Sequence, residues 1–310
     1  MARHTNGQFT FKVAAGPIVI ALVVTLVACM VWLWTVQRDA ATRAHDTVDP
    51  CKGRQVMLTV AGTLTPELAE LLTAFDKTRP IVDGYCVRTM TTADVNRASV
   101  IIAPGSRDLV ADRIIDLKLA PSGDTWPVAY TRDVGVAHLP MLRISGDSWT
   151  DLAGHGVALP ALPVAEERAV AALRLAGGDS AAAVRWIKDN NELTLARATT
   201  LKRPLVAMAE KEVPEGYRFT RPEPAAILPF YVVPLTQSPT VNARQQQAGM
   251  AFVSFIAEHV DQSLDHGIDT GLLADAAAVT AATTATGQPQ PPDNAPAQPA
   301  PPPAESAVTP

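Results

Sequence analysis

Val13–Val36, VAAGPIVIALVVTLVACMVWLWTV, carries no charged residue. A run of about two dozen apolar residues is long enough to cross a bilayer core of roughly 30 Å. It has no polar face to turn towards water, so any water-soluble domain must be built from the residues after Val36. Trp32 and Trp34 stand near its C-terminal end, at the headgroup level that aromatic rings favour. The segment reads as a transmembrane anchor between a short polar head, residues 1–12, and a charged juxtamembrane linker, residues 37–50.

Leu26-Val27-Ala28-Cys29 has the form of a lipoprotein cleavage box, yet Met30–Trp34 continues apolar where a processed lipoprotein would enter a polar linker. The uncleaved anchor is the reading adopted, with processing at Cys29 as the alternative. Charge does not set the orientation. Arg3 and Lys12 precede the segment while Arg38, Arg43, Lys52 and Arg54 follow it, which slightly opposes an external C-terminus. The cysteines argue the other way. Cys51 lies just before the first strand and Cys86 inside the next strand-like run, so a disulfide between neighbouring strands would mark an oxidising compartment. Two buried thiols are the alternative. The expected location is the cell membrane, single-pass, with the C-terminal domain extracytoplasmic.

From Cys51 the pattern alternates strands with helices. Gln55–Val60 is β-rich, Ala61-Gly62-Thr63-Leu64 is a tight loop, and a helix opens with Thr65 as N-cap and Pro66 at its first position. Leu64, Leu68, Leu71, Leu72 and Phe75 recur at helical spacing. A strand, a small-residue loop and a helix N-terminus in that order form a candidate ligand-binding corner. Gly84–Thr91 is a second β-rich run, Ser99–Ala103 is a strand apolar on both faces, and Arg107–Leu119 is helical. This order predicts a largely parallel sheet covered by helices.

Trp126–His138 continues as a long strand or strand pair, Gly156–Leu159 as a short strand, and Ala165–Ala176 as a helix closed by Gly177-Gly178. Ala181–Asn190 and Leu205–Ala209 read as helices, Pro214–Pro224 as a loop, and Ala225–Pro234 as a strand. Val241–Gln262 is an amphipathic helix. Residues 271–310 collapse to Ala, Thr, Pro and Gln and read as a disordered tail, since Gly287–Pro310 has almost nothing to bury.

Several functions are excluded by what these residues lack. The net charge is -5 and the Lys and Arg residues are scattered singly, so no dense basic face is available for nucleic acid. His259 and His266 have no Cys or carboxylate at ligand spacing, so no metal site is expected. Glu166-Glu167 opens a helix, where two carboxylates complement the dipole without catalysis. No nucleophile elbow, phosphate loop or dinucleotide fingerprint occurs. Neither a catalytic residue nor a cofactor is expected, and the chain does not read as an enzyme.

The phrases VMLTVAGTLTPELAELLTAF, GYCV, RASVIIAPGS, SWTDLAGHGVALP, ILPFYVV and QAGMAFVSFIAEHVDQSLDHGI occur in an order that resembles extracytoplasmic solute-binding proteins. The resemblance is to the type II periplasmic-binding fold of molybdate and sulfate binders. It is nearest to a membrane-anchored, actinobacterial-looking branch often fused to a von Willebrand factor A domain, although residues 271–310 carry no such module. It implies an α/β, two-lobed solute-binding-like domain over residues 51–270. Lobe one would span about 51–129 and 235–270, and lobe two about 130–234. A small ligand, an oxyanion among the candidates, would sit in the cleft between them, and the partners would be a transporter permease or another envelope protein.

Carried over by position, the resemblance implies ligand contacts from Gly62, Thr63 and Thr65 after the first strand and from Ser106 after the apolar strand. Tyr231 would stand near an aromatic-hydroxyl position. Three departures accompany it. Pro160-Ala161-Leu162-Pro163-Val164 is apolar where binders carry polar residues and glycine, Tyr231 is offset, and Ser99 replaces an acidic residue. The expected function is capture of a small ligand, with an envelope interaction module that keeps the fold but has lost ligand binding as the alternative. Protease added to intact cells should digest residues 51–270. A domain left uncut would place it in the cytoplasm.

Overall fold

The computed structural model describes Met30, Cys51 and residues 53–142, 148–236, 238–265 and 268–285. The head, the linker 37–50, the tail beyond residue 285 and all of the apolar segment 13–36 except Met30 lie outside the described residues. Among the described residues no helix is long and apolar enough to cross a membrane.

The chain runs β1 (Gln55–Ala61), α1 (Pro66–Lys77), β2 (Ile81–Val82), β3 (Tyr85–Thr92), β4 (Val100–Pro104) and α2 (Arg107–Asp116). It continues through β5 (Val128–His138), α3 (Trp149–Gly154), α4 (Ala165–Leu175), α5 (Ser180–Asp189), α6 (Leu195–Thr200) and β6 (Leu205–Ala209). It closes with β7 (Arg218–Thr220), β8 (Ala226–Pro234), α7 (Ala243–His259) and α8 (Thr270–Ala285). The strands form one sheet in the order β2-β3-β1-β4-β8-β5-β6, with β7 also paired to β5. Cys51 and Cys86 are both disulfide-bonded.

The sheet is mixed rather than largely parallel. β1 runs parallel to β3 and β4, as the opening βαβα order requires, but β4, β8, β5 and β6 are joined antiparallel. The long strands β5 and β8 pass through the middle, so the sheet continues across the expected lobe boundaries. Residues 129 and 130 both lie within β5, and residue 234 ends β8.

Local chemistry explains why the sheet closes so tightly around β1 and β4. Ser99 is fully buried. Its hydroxyl accepts from the Thr59 amide and donates to the Thr59 carbonyl, each at 3.1 Å. A carboxylate at residue 99 would bring a charge into this apolar layer, whereas a hydroxyl satisfies two backbone groups. Gly249 lets α7 press onto β4, since a Cβ there would lie 3.1 Å from the Ser99 carbonyl oxygen. Phe75 of α1 meets Phe252 edge-on with centroids 5.0 Å apart, which fastens α1 to α7.

Leu205–Ala209 is not a helix. All five residues are buried and pair with β5, and so short an apolar run has no periodicity to separate strand from helix. Gly156–Leu159 contributes only the bridge from Ala158 to Val206, and the loop Pro214–Pro224 contains β7. Residues Thr270–Ala285, assigned by composition to the disordered tail, form a packed helix. Leu272, Leu273, Ala276 and Val279 are buried, and α8 lies against α4 and α5.

Two features hold α8. Asp269 accepts the Leu272 amide at 2.9 Å and pairs with Arg174 at 3.1 Å. Alanine is the best helix former, and the buried residues of α8 add packing against α4 and α5. Leu273 is 2% exposed, so Leu273→Ala should cost about 2–5 kcal/mol in chemical denaturation. An unchanged stability would mean that α8 does not pack.

Candidate functional site

Strand alternation puts Tyr130, Arg132, Val134 and Val136 on one face of β5, after a register irregularity between Val128 and Tyr130. That face looks into the main core, so Arg132 is 2% exposed among apolar neighbours. Three carboxylates from three other elements meet it. Glu67, in the first turn of α1, brings Oε2 to 3.3 Å of Arg132 Nε. Glu212, in the turn Glu210–Glu212, accepts from Nη2 at 2.7 Å. Glu167, in the first turn of α4 and fully buried, accepts from Nη1.

One guanidinium among three carboxylates cannot neutralise them all. Burial pushes the Glu167 carboxyl up to about 8; Arg132 opposes the rise, and Glu212 and Glu67 reinforce it. For Arg132, burial works against the charged form, but Glu167, Glu212 and Glu67 outweigh it and hold its pKa above the ordinary value. Three carboxylate oxygens, Glu67 Oε2, Glu167 Oε2 and Glu212 Oε2, are buried without a hydrogen-bond partner. Arg132 Nε is likewise buried without a hydrogen-bond partner, 3.3 Å from Glu67 Oε2, and the proton that Glu167 retains up to about pH 8 leaves one guanidinium facing the two charged carboxylates of Glu67 and Glu212.

Two cavities flank it. The first, of about 440 Å³, is lined by Glu67, Glu70, Leu71, Tyr130, Arg132, Asp133 and Glu210 among others. Its rim is ion-paired, with Lys211 on Glu70 at 2.7 Å, and Arg221 shared between Asp133 at 3.0 Å and Glu210 at 2.6 Å. The second, of about 370 Å³, is lined by Gly62, Thr63, Thr92, Pro104, Arg113 and Glu166. Arg113 of α2 and Glu166 of α4 close its far side with a 2.6 Å ion pair.

The residues expected at the site divide three ways. Gly62 and Thr63 line the second cavity, and Gly62 has to be glycine because a Cβ would meet the Ile102 carbonyl oxygen at 2.9 Å. Thr65 and Ser106 are helix caps. Thr65 accepts the Leu68 amide at 3.3 Å and gives its proton to the Tyr130 hydroxyl, and Ser106 accepts the Leu109 amide at 3.4 Å. Tyr231 is buried opposite Ala103, in a core with Ile101, Val110 and Ile114. The structure therefore brings Gly62 and Thr63 together at a cavity and places Thr65, Ser106 and Tyr231 in structural positions.

Arg132, Glu67 and Glu212 were missed by sequence reasoning, and Glu167 was seen only as a partner of the helix dipole. A signal for Arg132 was present: an arginine at a core-facing register of an otherwise apolar strand is rare unless paired. Its partners sit far apart in sequence and could not be named from spacing. The loop before α4 is apolar and Val164 provides no side-chain cap, so Glu166 and Glu167 are the groups that answer that helix N-terminus.

The sequence matches no family model and no curated protein. Solved structures do resemble it. The ferric binding protein from Campylobacter jejuni superposes with a TM-score of 0.50 at 12% identity, covering 75% of this chain and 99% of that one. The Bordetella ferric binding protein gives 0.46 at 12% identity, covering 74% of this chain and 96% of that one. A periplasmic thiamin binding protein gives 0.44 at 13% identity, covering 70% and 82%. These neighbours are periplasmic solute-binding proteins rather than enzymes, and the likeness is one of fold.

The raised Glu167 carboxyl gives a stability prediction. The folded state keeps a proton that the unfolded chain, with an ordinary pKa of 4.5, releases. The stabilisation is complete below about pH 4.5 and is lost as pH rises towards about 8. Melting temperature should fall across that window in the native protein, and this component should vanish in Glu167→Gln. An identical pH slope in both proteins would contradict the assignment.

Proposed function

We propose that the chain is a membrane-anchored, extracytoplasmic, solute-binding-like protein that captures a small ligand in the cleft between β1–α1–α2 and β5–α4. The observation that carries this reading is the cavity at the C-terminal ends of β1 and β4, where open α/β sheets bind ligands. Gly62, Thr63, Arg113 and Glu166 all line it, the last two paired at 2.6 Å. The fold shared with periplasmic binding proteins supports the same reading, and a transporter permease would be the partner that collects the ligand. The oxyanion implied by the sequence resemblance is less well supported. The first turns of α1 and α4, which could hold an anion, already carry Glu67 and Glu166-Glu167.

A second reading is favoured by the Arg132 cluster itself. It joins α1 to α4 and the turn Glu210–Glu212 with side chains of the protein, so the cleft is bridged without any ligand. A fold bridged in this way would serve an envelope protein that binds another protein instead of a solute.

Thermal shift of the purified full-length chain against oxyanions, metal ions, sugars, amines and peptides separates the two. Capture predicts that at least one class in large excess over Kd adds roughly 2–4 kcal/mol. No stabilisation by any class would leave the interaction module.

A further inference from the structure

The Arg132 cluster draws one charged group from each of four elements: Glu67 of α1, Arg132 of β5, Glu167 of α4 and Glu212 of the turn Glu210–Glu212. We propose that Glu167 is a proton-operated latch on α1: while its carboxyl keeps a proton Glu67 stays against Arg132, and when the proton leaves Glu67 is released towards the cavity beside Tyr130. The latch acts within the chain and does not depend on a ligand.

The geometry first says which form Glu167 takes. It is fully buried, its Oε1 accepts from Arg132, and its Oε2 has neither water nor a donor. Burial of that kind favours the neutral carboxyl, so Arg132 faces two charged carboxylates with the latch closed and three with it open. The groups that act on Glu167 are Arg132 from β5, Glu212 from the turn and Glu67 from α1. Tyr130 of β5 also faces the cluster, and burial keeps its hydroxyl neutral.

The geometry also says which partner yields. Ionised Glu167 would bind Arg132 more strongly and repel the other two carboxylates. Glu212 is held by a hydrogen bond of 2.7 Å from Nη2. Glu67 is held least: its Oε2 lies 3.3 Å from Nε, and neither atom is hydrogen-bonded to the other. Its side chain is already 10% exposed and lines the 440 Å³ cavity, so it has somewhere to go.

The test is hydrogen exchange of the full-length protein at pH 7 and pH 9, each corrected for the intrinsic rate. With the Glu167 carboxyl raised to about 8, its ionised fraction climbs from about a tenth to about nine tenths over that interval. Protection of the α1 amides Ala69–Leu72 should fall severalfold, while Phe252–Ile256 of α7 should change much less. Glu167→Gln should abolish the difference. Should that variant fail to fold, Glu67→Gln serves instead, because it removes the charge that is expelled, and its α1 protection should likewise stay level. Unchanged α1 protection in the native protein, an equal fall in α1 and α7, or the native fall persisting in the variant that folds would overturn the proposal.

Discussion

Arg132 is held at the centre of the fold by a physical demand. A guanidinium taken out of water must find charge and acceptors nearby, and the chain meets that demand with carboxylates from α1, from α4 and from the turn Glu210–Glu212. Meeting it joins α1, α4 and the turn Glu210–Glu212 to β5. The same contacts place Glu67 at one cavity and Glu166, beside Glu167, at the other. The acidic character of the cavity beside Tyr130 follows in part from the partners of this one buried charge.

The electrostatics around the cavities turn on what answers the helix N-termini. In anion-binding clefts backbone amides at helix starts are left for the ligand. Here the first turn of α1 carries Glu67, and Thr65 spends its hydroxyl on the Leu68 amide and Tyr130. The first turn of α4 carries Glu166 and Glu167 after an uncapped Val164. The fold resembles that of a ferric binding protein, while the cavity beside Tyr130 is lined with acid.

How far the sequence could be read depended on how local each determinant was. The β1–α1 unit was legible because Thr65, Pro66 and the Leu68, Leu72, Phe75 spacing act within one turn or strand. The closing glycines Gly177 and Gly178 were legible because they adopt positive φ, +63° and +90°. Leu205–Ala209 was misread because five apolar residues carry no period, and only pairing with β5 makes them a strand. Residues 271–285 were misread because an Ala- and Thr-rich run gains its stability from packing against α4 and α5, far away in sequence. Of the residues expected at a site, Gly62 and Thr63 line a cavity because the β1–α1 corner that holds them is local. Arg132 and its three partners are assembled by topology, and no spacing rule links residues 67, 132, 167 and 212.

The central claim, that buried Arg132 ties α1 to β5, is tested most directly by a double-mutant cycle in chemical denaturation. Arg132→Leu, Glu67→Gln and the double variant would be compared with the native protein. The account predicts a coupling energy of more than about 1 kcal/mol between the two positions, as for residues in one buried ionic network. Additivity within about 0.3 kcal/mol, the behaviour of independent sites, would contradict it.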